Sequence, residues 1–223
     1  MLKVQLHIHT SEDKLDGDLG YNAKELIDNA EKLGFDVLAF TFHEDFFYPK
    51  DIVEYAKKKG ILLIPGIELK VEGKHVLVYG VKENLKVDKI KDLKNLKNVL
   101  VVAAHPYFPR EHCLHGKLIK NIDVFDAIEY SSFYLGFWNF NKRAVKAAKK
   151  FNKVLIGNGD VHDLRILDKT YSLVDAEKNI ESVLNAIKKG KVEIKTRPLK
   201  LLFFTFYMLR IHLKMVFKLV YGQ

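Results

Sequence analysis

The sequence predicts an α/β protein in which about seven parallel strands, each followed by a helix, form a barrel. Short apolar runs alternate with amphipathic helical segments through residues 2–190, which is the pattern of parallel strands joined by helical crossovers. Most of these runs are apolar at nearly every position, as expected of strands buried on both faces. With about seven strands, a barrel is favoured over an open sheet, and barrels of this kind carry functional residues at the carboxyl ends of their strands.

Strands and helices follow one another in a regular order along the chain. Asn22 is a typical helix-capping residue, Pro49 suits the start of the second helix, and Gly34 and Gly60 end the first two helices. Strands are predicted at residues 2–8, 35–42, 61–67, 74–81, 99–104, 127–130 and 154–156. Helices are predicted at 23–33, 49–59, 139–151 and 176–189, with a lysine-rich connector at 82–97 and an irregular polar segment at 107–121.

The composition restricts the class of protein. Hydrophobic residues make up 48% of the 223 residues and charged residues 29%, which is typical of a soluble globular protein with a full core. Cys113 is the only cysteine, so no internal disulfide can form, and the chain enters its first strand without the features of a signal peptide. We therefore expect a cytoplasmic protein. The net charge of +9 suits an anionic substrate, nucleic acid or a membrane surface, and equally a lysine-rich solvated surface.

A strongly apolar tail with interspersed cations follows the predicted barrel. We place the barrel at residues 1–195 and a basic amphipathic helical extension at residues 196–223. Arg210, Lys214 and Lys218 are four residues apart and share one helical face, and their charges argue against a membrane-spanning helix. Packing on the barrel is favoured, with pairing to another subunit and peripheral contact with an anionic membrane as the alternatives. The sequence leaves the oligomeric state open.

Residues suited to metal binding lie at successive strand ends. His7 and His9 alternate with Ile8 in the first predicted strand, so both imidazoles point to the same face. His75 is an exception, because it begins its predicted strand. The other strand ends carry further nitrogen and carboxylate groups, namely His43, Glu68, His105, Glu129, Asp160 and His162. Buried histidines that merely support a core are normally dispersed, so this set predicts a metal centre on one rim of the barrel.

The motifs that carry these residues indicate a family. They read His7-Ile8-His9-Thr10-Ser11, Thr41-Phe42-His43, Pro65-Gly66-Ile67-Glu68, His75-Val76-Leu77-Val78-Tyr79-Gly80, Ala104-His105-Pro106, Ile128-Glu129-Tyr130 and Gly159-Asp160-Val161-His162. In this order, over roughly residues 1–190, the chain resembles the PHP family, the polymerase and histidinol phosphatase domain. The resemblance implies a distorted, TIM-like (β/α)7 barrel with a site for up to three metal ions.

The ligands that the resemblance implies form three groups, and Glu68 bridges the first two. They are His7, His9, Glu68 and Asp160 for the first metal, Glu68, His75 and His105 for the second, and His43 and His162 for the third. Two or three divalent ions are expected, and zinc, manganese and iron all suit these ligands. The family match gives no ligand role to three residues in the loop after His105, which are His112, Cys113 and His115.

The third group needs a carboxylate from the loop after the first strand. This loop is longer here than the usual Ser-Asp-Gly segment of the family. Asp16, followed by Gly17, is the best match, and Asp13 is the alternative. Phe42 stands where the family usually has aspartate, so one carboxylate that would support the site is absent.

The resemblance implies hydrolysis of a phosphoester by a hydroxide that bridges two metals. The substrate would be a small phosphomonoester, a nucleotide or a nucleic-acid end. Glu68 and Asp160 would act through the metals, Glu129 would position a water or a ligand imidazole, and Arg110 and Arg165 are candidate clamps for the substrate phosphate. Two other functions are left open, a non-catalytic metal-binding regulatory module and an amidohydrolase-type hydrolase that acts on C–N bonds.

Overall fold

The computed structural model describes residues 1–209 and shows a mixed α/β fold with two five-stranded sheets. The strands are β1 (Leu2–Ile8), β2 (Val37–Phe40), β3 (Leu62–Leu63), β4 (Gly66–Val71), β5 (Lys74–Tyr79), β6 (Leu100–Ala103), β7 (Ala127–Ser131), β8 (Val154–Asn158), β9 (Thr170–Val174) and β10 (Val192–Thr196). The α-helices that lie between them are α1 (Ala23–Lys32), α2 (Lys50–Lys58), α3 (Gly116–Lys120), α4 (Asn141–Phe151) and α5 (Ile180–Lys188). The mixed α/β prediction is thus confirmed.

Helix α1 shows how the local sequence fixes one element and its packing. The Asn22 side chain accepts a hydrogen bond from the Glu25 amide at 3.0 Å, and the Glu25 carboxylate accepts one from the Asn22 amide at 2.8 Å. A cap of this kind contributes about 1 kcal/mol. Apolar residues three and four apart put one face of the helix into the core, where Ala23, Leu26, Ile27 and Ala30 are buried.

The two sheets combine parallel and antiparallel pairs. The strand orders are β10-β9-β1-β2-β3 and β4-β5-β6-β7-β8. Pairs β1–β2, β2–β3, β6–β7 and β7–β8 are parallel, as predicted, while β4–β5, β5–β6, β1–β9 and β9–β10 are antiparallel. The prediction of parallel strands was therefore wrong for β5, while β9 and β10, which pair antiparallel, lie outside the seven predicted strands.

A tight hairpin explains the antiparallel β4–β5 pair. Glu72 and Gly73 connect the two strands, and both have positive φ angles, 50° and 73°. Two left-handed residues in succession give a turn whose twist matches that of adjacent antiparallel strands. The chain therefore reverses at once, without the helical crossover that a parallel pair requires.

The two sheets meet at isolated bridges rather than along continuous ladders. Ile8 bridges to Val161, where the His9 amide donates to the Val161 carbonyl at 3.1 Å. His43 bridges to Glu68, whose amide donates to the Phe42 carbonyl at 3.1 Å. Within residues 1–209, the strands are thus assigned to two sheets and not to one closed barrel.

The start of the C-terminal tail is a helix that packs on the body of the protein. Residues 201–209 are helical, and Phe204 is buried in the core cluster around α1 and α2. The Tyr207 ring lies 5.0 Å from the ring of Phe133, measured between centroids. Arg210, Lys214 and Lys218, which define the predicted basic face, lie outside the described residues. No helix in the described range is long and apolar enough to cross a membrane.

Candidate metal centre

Eight ligand-type side chains converge on one region from strands of both sheets. His7 lies in β1 and His9 directly follows it, His43 follows β2, Glu68 lies in β4, His75 lies in β5, His105 follows β6, and Asp160 and His162 follow β8. His7 and His9 are fully buried below a cavity of about 860 Å³. The other members of the set border that cavity, which are His43, Glu68, His75, His105, Asp160 and His162.

Two ligand positions depend on a break in the predicted third strand. The segment predicted at 61–67 is two strands, β3 in one sheet and β4 in the other, and Pro65 between them has no amide proton for a continuous ladder. Glu68 therefore lies inside β4 and not at a strand end. His75 reaches the same rim because β5 runs back along β4, where His75 pairs with Lys70. His75 begins its strand and still joins the other ligand-type residues, because β5 is antiparallel to β4.

Glu68 is the centre of the cluster. Its Oε1 lies 2.8 Å from His75 Nδ1 and 3.2 Å from His105 Nε2. Its Oε2 faces three further ring nitrogens at 3.3–3.4 Å, which belong to His7, His9 and His43. Burial alone would raise the pKa of this carboxyl group, but the surrounding imidazoles, His75 and His7 foremost, hold the pKa well below its usual range. One carboxylate oxygen thus faces each of two groups of imidazoles.

Asp160 and His162 complete the part of the cluster nearest β1. Asp160 Oδ1 lies 3.4 Å from His7 Nε2 and 3.3 Å from His162 Nδ1. Asp160 has a φ of 50°, in the left-handed region that residues other than glycine adopt uncommonly. Burial would raise the pKa of its carboxyl group, but the imidazoles of His7 and His162 keep it well below the usual value.

The two candidate aspartates of the first loop occupy different places. Asp16 Oδ2 lies 3.0 Å from His162 Nε2 and 3.5 Å from His43 Nδ1, and Asp16 borders the cavity. Asp13 lies deeper and is fully buried. Asp13 Oδ2 accepts hydrogen bonds from Nδ1 of His9 at 2.9 Å, from Nδ1 of His43 at 2.9 Å and from the His43 amide at 3.0 Å. Asp16 thus lies among the ring nitrogens, and Asp13 lies behind them.

Glu129 also supports histidines from behind. It is fully buried, and its Oε1 lies 2.9 Å from His7 Nδ1 and accepts from the Asn158 side-chain amide at 3.0 Å. Its Oε2 accepts from the His105 backbone amide at 2.6 Å. Burial lowers the pKa of His7, but the carboxylates of Glu129, Asp160 and Glu68 outweigh this effect and raise it to about 10. Glu129 therefore orients two members of the cluster and does not border the cavity.

The two predicted phosphate clamps separate in the structure. Arg110 borders the cavity. Arg165 does not, because its guanidinium pairs with Asp163 and lies 4.7 Å from the ring centre of Phe203. The cavity also contains cations and a tyrosine that the sequence analysis did not single out, namely Lys14, Lys70 and Tyr207. Lys70 could have been predicted from the sequence. It lies two residues after Glu68 in β4, and residues two apart in a strand point to the same face.

The cluster fits bound metal ions. Three buried ring nitrogens, His7 Nε2, His9 Nε2 and His75 Nδ1, have no hydrogen bond of acceptable geometry among the described residues. Such nitrogens are costly to bury unless another partner satisfies them. Ligand atoms within 4.8 Å of one another recur in several overlapping groups, among them His9, Asp16, His43 and His162 and also His7, His9 and Glu68. A set of imidazoles and carboxylates with this spacing is the donor set of divalent transition metals.

The charges in the cluster predict a pH dependence for the metal-free protein. The folded-state pKa of His7 is about 10, against 6.5 for an ordinary histidine, so its contribution to stability is present below pH 6.5 and is lost as the pH rises towards 10. The pKa values of His43, His105 and His162 are raised as well, despite their burial, by nearby acidic partners. We expect the melting temperature in a chelator to fall between pH 6.5 and 9.5, as measured by calorimetry.

Metal-loaded protein is the control for this experiment. A bound ion takes the place of the proton on each ligand imidazole, so the loaded form should lose much less stability over the same range. Parallel melting curves for the two forms across pH 6.5–9.5 would contradict the interpretation.

Comparison with known proteins agrees with this picture. The α/β fold and the clustered imidazoles and carboxylates are those of a protein that could hold several metal ions, and a model of the PHP domain matches residues 5–158. This match covers more than half of the sequence, so the chain belongs to the PHP domain family, and the resemblance drawn from the motifs is confirmed. PHP-domain proteins are mostly metal-dependent hydrolases. A comparison with curated protein sequences finds no match.

Three solved structures share the fold. PsfC from Pseudomonas syringae PB-5123 aligns with a TM-score of 0.60 at 13% identity, over 88% of this chain and 91% of PsfC. An amidohydrolase from Chromobacterium violaceum, with bound sulfate and no metal, aligns with a TM-score of 0.57 at 14% identity, over 71% of this chain and 87% of its own. A protein from Bifidobacterium adolescentis ATCC 15703, provisionally described as a metal-dependent phosphoesterase, aligns with a TM-score of 0.56 at 14% identity, over 72% and 87%. At these identities the comparison establishes the fold alone.

Proposed function

We propose that this protein is a metal-dependent phosphoesterase that uses two or three divalent ions of zinc, manganese or iron. The observation that carries the proposal is the position of Glu68, whose two oxygens face two separate groups of imidazoles. A carboxylate in that position suits a bridge between two metals. The cavity above it holds Lys14, Lys70 and Arg110, whose charges suit a phosphate group.

The proposed ligand groups follow the family pattern. They are His7, His9, Glu68 and Asp160 for the first ion, Glu68, His75 and His105 for the second, and Asp16, His43 and His162 for the third. The position of Asp16 among the ring nitrogens favours it over Asp13 as the ligand from the first loop. Asp13 instead supplies a carboxylate behind His9 and His43, in a site where Phe42 cannot provide one.

The chain's own residues have distinct roles in the proposed reaction. Bound divalent ions acidify a coordinated water and offset negative charge that builds on a phosphate during in-line attack. Glu129 orients His7 and His105, and Arg110, at the cavity wall, clamps the substrate phosphate. Arg165 has no part in the proposal, because its pairing with Asp163 takes it away from the cavity. The cavity of about 860 Å³ has room for a small phosphomonoester, a nucleotide or a nucleic-acid end.

Two features of the architecture are proposed with the function. Seven strands, β1, β2 and β4–β8, form a distorted (β/α)7 barrel in the proposal, since isolated bridges link β1 to the end of β8 and β2 to β4. Residues 1–195 are proposed as the catalytic unit and residues 196–223 as a C-terminal extension, of which residues 201–209 form a helix. A cytoplasmic location is proposed because Cys113 is a free thiol, which a reducing compartment preserves.

Metal-dependent hydrolysis of an aryl phosphate tests the proposed function. Purified protein, freed of metal and reconstituted with Mn²⁺ or Zn²⁺, should release nitrophenol, and the His9→Ala and Asp160→Ala variants should lose at least about 100-fold of this activity. Asp51→Ala is the matched control, because Asp51 pairs with Lys24 on the surface and does not border the cavity. Unchanged activity in both site variants would refute the proposed site.

The same experiment separates the two alternative functions. An amidohydrolase would cleave aryl amides in place of aryl phosphates, and a regulatory module would bind metal and cleave neither. The number of histidines around Glu68 favours the phosphoesterase, since three ligand groups suit an oxygen-rich phosphate better than a single amide carbonyl.

A peripheral membrane contact is proposed for the tail helix, residues 201–209. One side of it packs on the body through Phe204 and Tyr207, while Leu202 and Phe206 on the other side are 70% and 65% exposed. Leu201 and Leu209 are exposed as well. Cations continue in the sequence beyond residue 209, so an anionic lipid surface would meet both apolar and basic groups.

Point variants test the membrane contact without uncovering the core. A Leu202→Glu/Phe206→Glu double variant should sediment with anionic lipid vesicles at least about tenfold less than the unchanged protein, because it puts two charges on the apolar face. Val145→Glu is the control for added charge, since Val145 is 40% exposed on α4 of the body. Equal sedimentation of the double variant and the control would refute the proposed membrane contact.

A further inference from the structure

A fourth imidazole adjoins the second group of proposed ligands. His112 lies in the loop after β6 and borders the cavity. Its ring stacks on that of His75, with the centroids 4.3 Å apart and the planes 22° from parallel, and meets the ring of His105 edge-on at 5.6 Å. A ring nitrogen from each of His75, His105 and His112 lies within 4.8 Å of the other two. The three nitrogens therefore surround one small volume next to Glu68.

The loop that carries His112 is fixed to the strands beneath it. The His112 carbonyl accepts a hydrogen bond from the His75 amide at 2.8 Å, and Lys74 Nζ donates to the carbonyl of Glu111. The next residue, Cys113, is fully buried with its Sγ 3.3 Å from His105 Nδ1. Loop and strand are thus tied at three successive residues, and the His112 ring is placed against His75 by the backbone.

The ring nitrogens of His112 have no structural role in hydrogen bonding that the described residues show. No hydrogen bond or ion pair of its ring nitrogens is found among residues 1–209. His115, three residues further on, differs in this respect, because its Nε2 donates a hydrogen bond to the Arg110 carbonyl at 2.9 Å. His115 thus has a structural partner in the loop, whereas the ring of His112 faces two proposed metal ligands.

We propose that His112 is a fourth protein ligand of the second metal position, together with Glu68, His75 and His105. The motifs of the family give this position three ligands, so the role belongs to this chain's own loop. Four protein ligands fill the coordination of a tetrahedral ion such as Zn²⁺, as in sites that retain their metal. The second ion would then be held tightly and would have no open position for water. Water would bind and exchange at the first and third metal positions. The inference rests on the proposed metal centre.

A phenylalanine variant isolates the nitrogen from the packing. His112→Phe keeps a flat ring against His75 but offers no lone pair, so the loop should stay in place. His115→Phe is the matched control in the same loop, since it removes a ring nitrogen that lies outside the cluster. The readouts are Zn²⁺ affinity by competition with a chromophoric chelator and the visible absorption of the Co²⁺-substituted protein.

The proposal predicts that His112→Phe weakens the binding of one equivalent of Zn²⁺ at least about tenfold and lowers the intensity of the tetrahedral Co²⁺ bands, while His115→Phe changes neither. Unchanged affinity and spectrum in His112→Phe would overturn it, including the case in which only the KM for an aryl phosphate rises. If the unsubstituted protein binds metal but has no phosphatase activity, the proposed function is refuted, while the proposed role of His112 as a ligand is unaffected.

Discussion

Glu68→Gln is expected to lower metal-dependent phosphatase activity at least about 1,000-fold and to remove at least one equivalent of bound metal. Glutamine keeps the size of the side chain but removes the negative charge that faces two groups of imidazoles. A metal site supplies several kcal/mol of transition-state stabilisation, and about 4 kcal/mol corresponds to this factor. Activity with an aryl phosphate and metal content by mass spectrometry are the measurements.

Glu72→Gln is the control for Glu68→Gln. Glu72 belongs to the same hairpin but pairs with Lys117 at the surface, so its neutralisation should leave activity and metal content close to those of the unsubstituted protein. Retention of full metal content by Glu68→Gln would contradict the bridging role assigned to this carboxylate.

Asp13→Ala is expected to have the second largest effect, mainly on stability. Its removal leaves Nδ1 of His9, Nδ1 of His43 and the His43 amide without their acceptor in a buried place. Breaking a buried, hydrogen-bonded pair costs about 3 kcal/mol, and a protein of this length would melt roughly 6–12 °C lower. Metal affinity should also fall about 10- to 100-fold, because two ligand imidazoles lose their orientation.

Asp16→Ala provides the comparison that separates the two aspartates. Asp16 borders the cavity, so its loss should reduce metal binding without the same loss of stability in metal-free protein. Calorimetry in a chelator and metal titration distinguish the two effects. Equal melting temperatures for the metal-free Asp13→Ala and Asp16→Ala proteins would show that Asp13 has no supporting role.

The convergence of the ligand-type side chains could be predicted because it depends on strand periodicity and strand ends. His7 and His9 share a face by simple alternation. Apolar runs end just before His43 and His105, which predicted that both histidines lie at the carboxyl ends of strands. Three of the four predicted helices are correct to within two residues at each end, since their caps and glycines are local signals, as the capping box of Asn22 shows. The fourth begins at Ile180 and not at residue 176, and the short helix α3 lies in a segment predicted to be irregular.

Other features depend on contacts that local patterns do not reveal. The position of His75 follows from the hairpin turn at Glu72 and Gly73, which was not recognised as a turn. Strands β9 and β10 were missed, because β10 alternates apolar and charged residues over a short stretch at a sheet edge. Arg165 was placed near the phosphate by sequence distance alone, and its ion pair with Asp163 draws it elsewhere.

The isolated bridge between Ile8 and Val161 gives the first proposed metal a mechanical role as well as a chemical one. His9 and Asp160, which flank this seam between the two sheets, are about 150 positions apart in the sequence. A shared ion would act as a clip that closes this long loop, and clips across long loops remove the most chain entropy from the unfolded state. The sheets need few hydrogen bonds between them at this seam if an ion holds them together. Loss of metal would then loosen the body of the protein first where β1 meets the chain beyond β8.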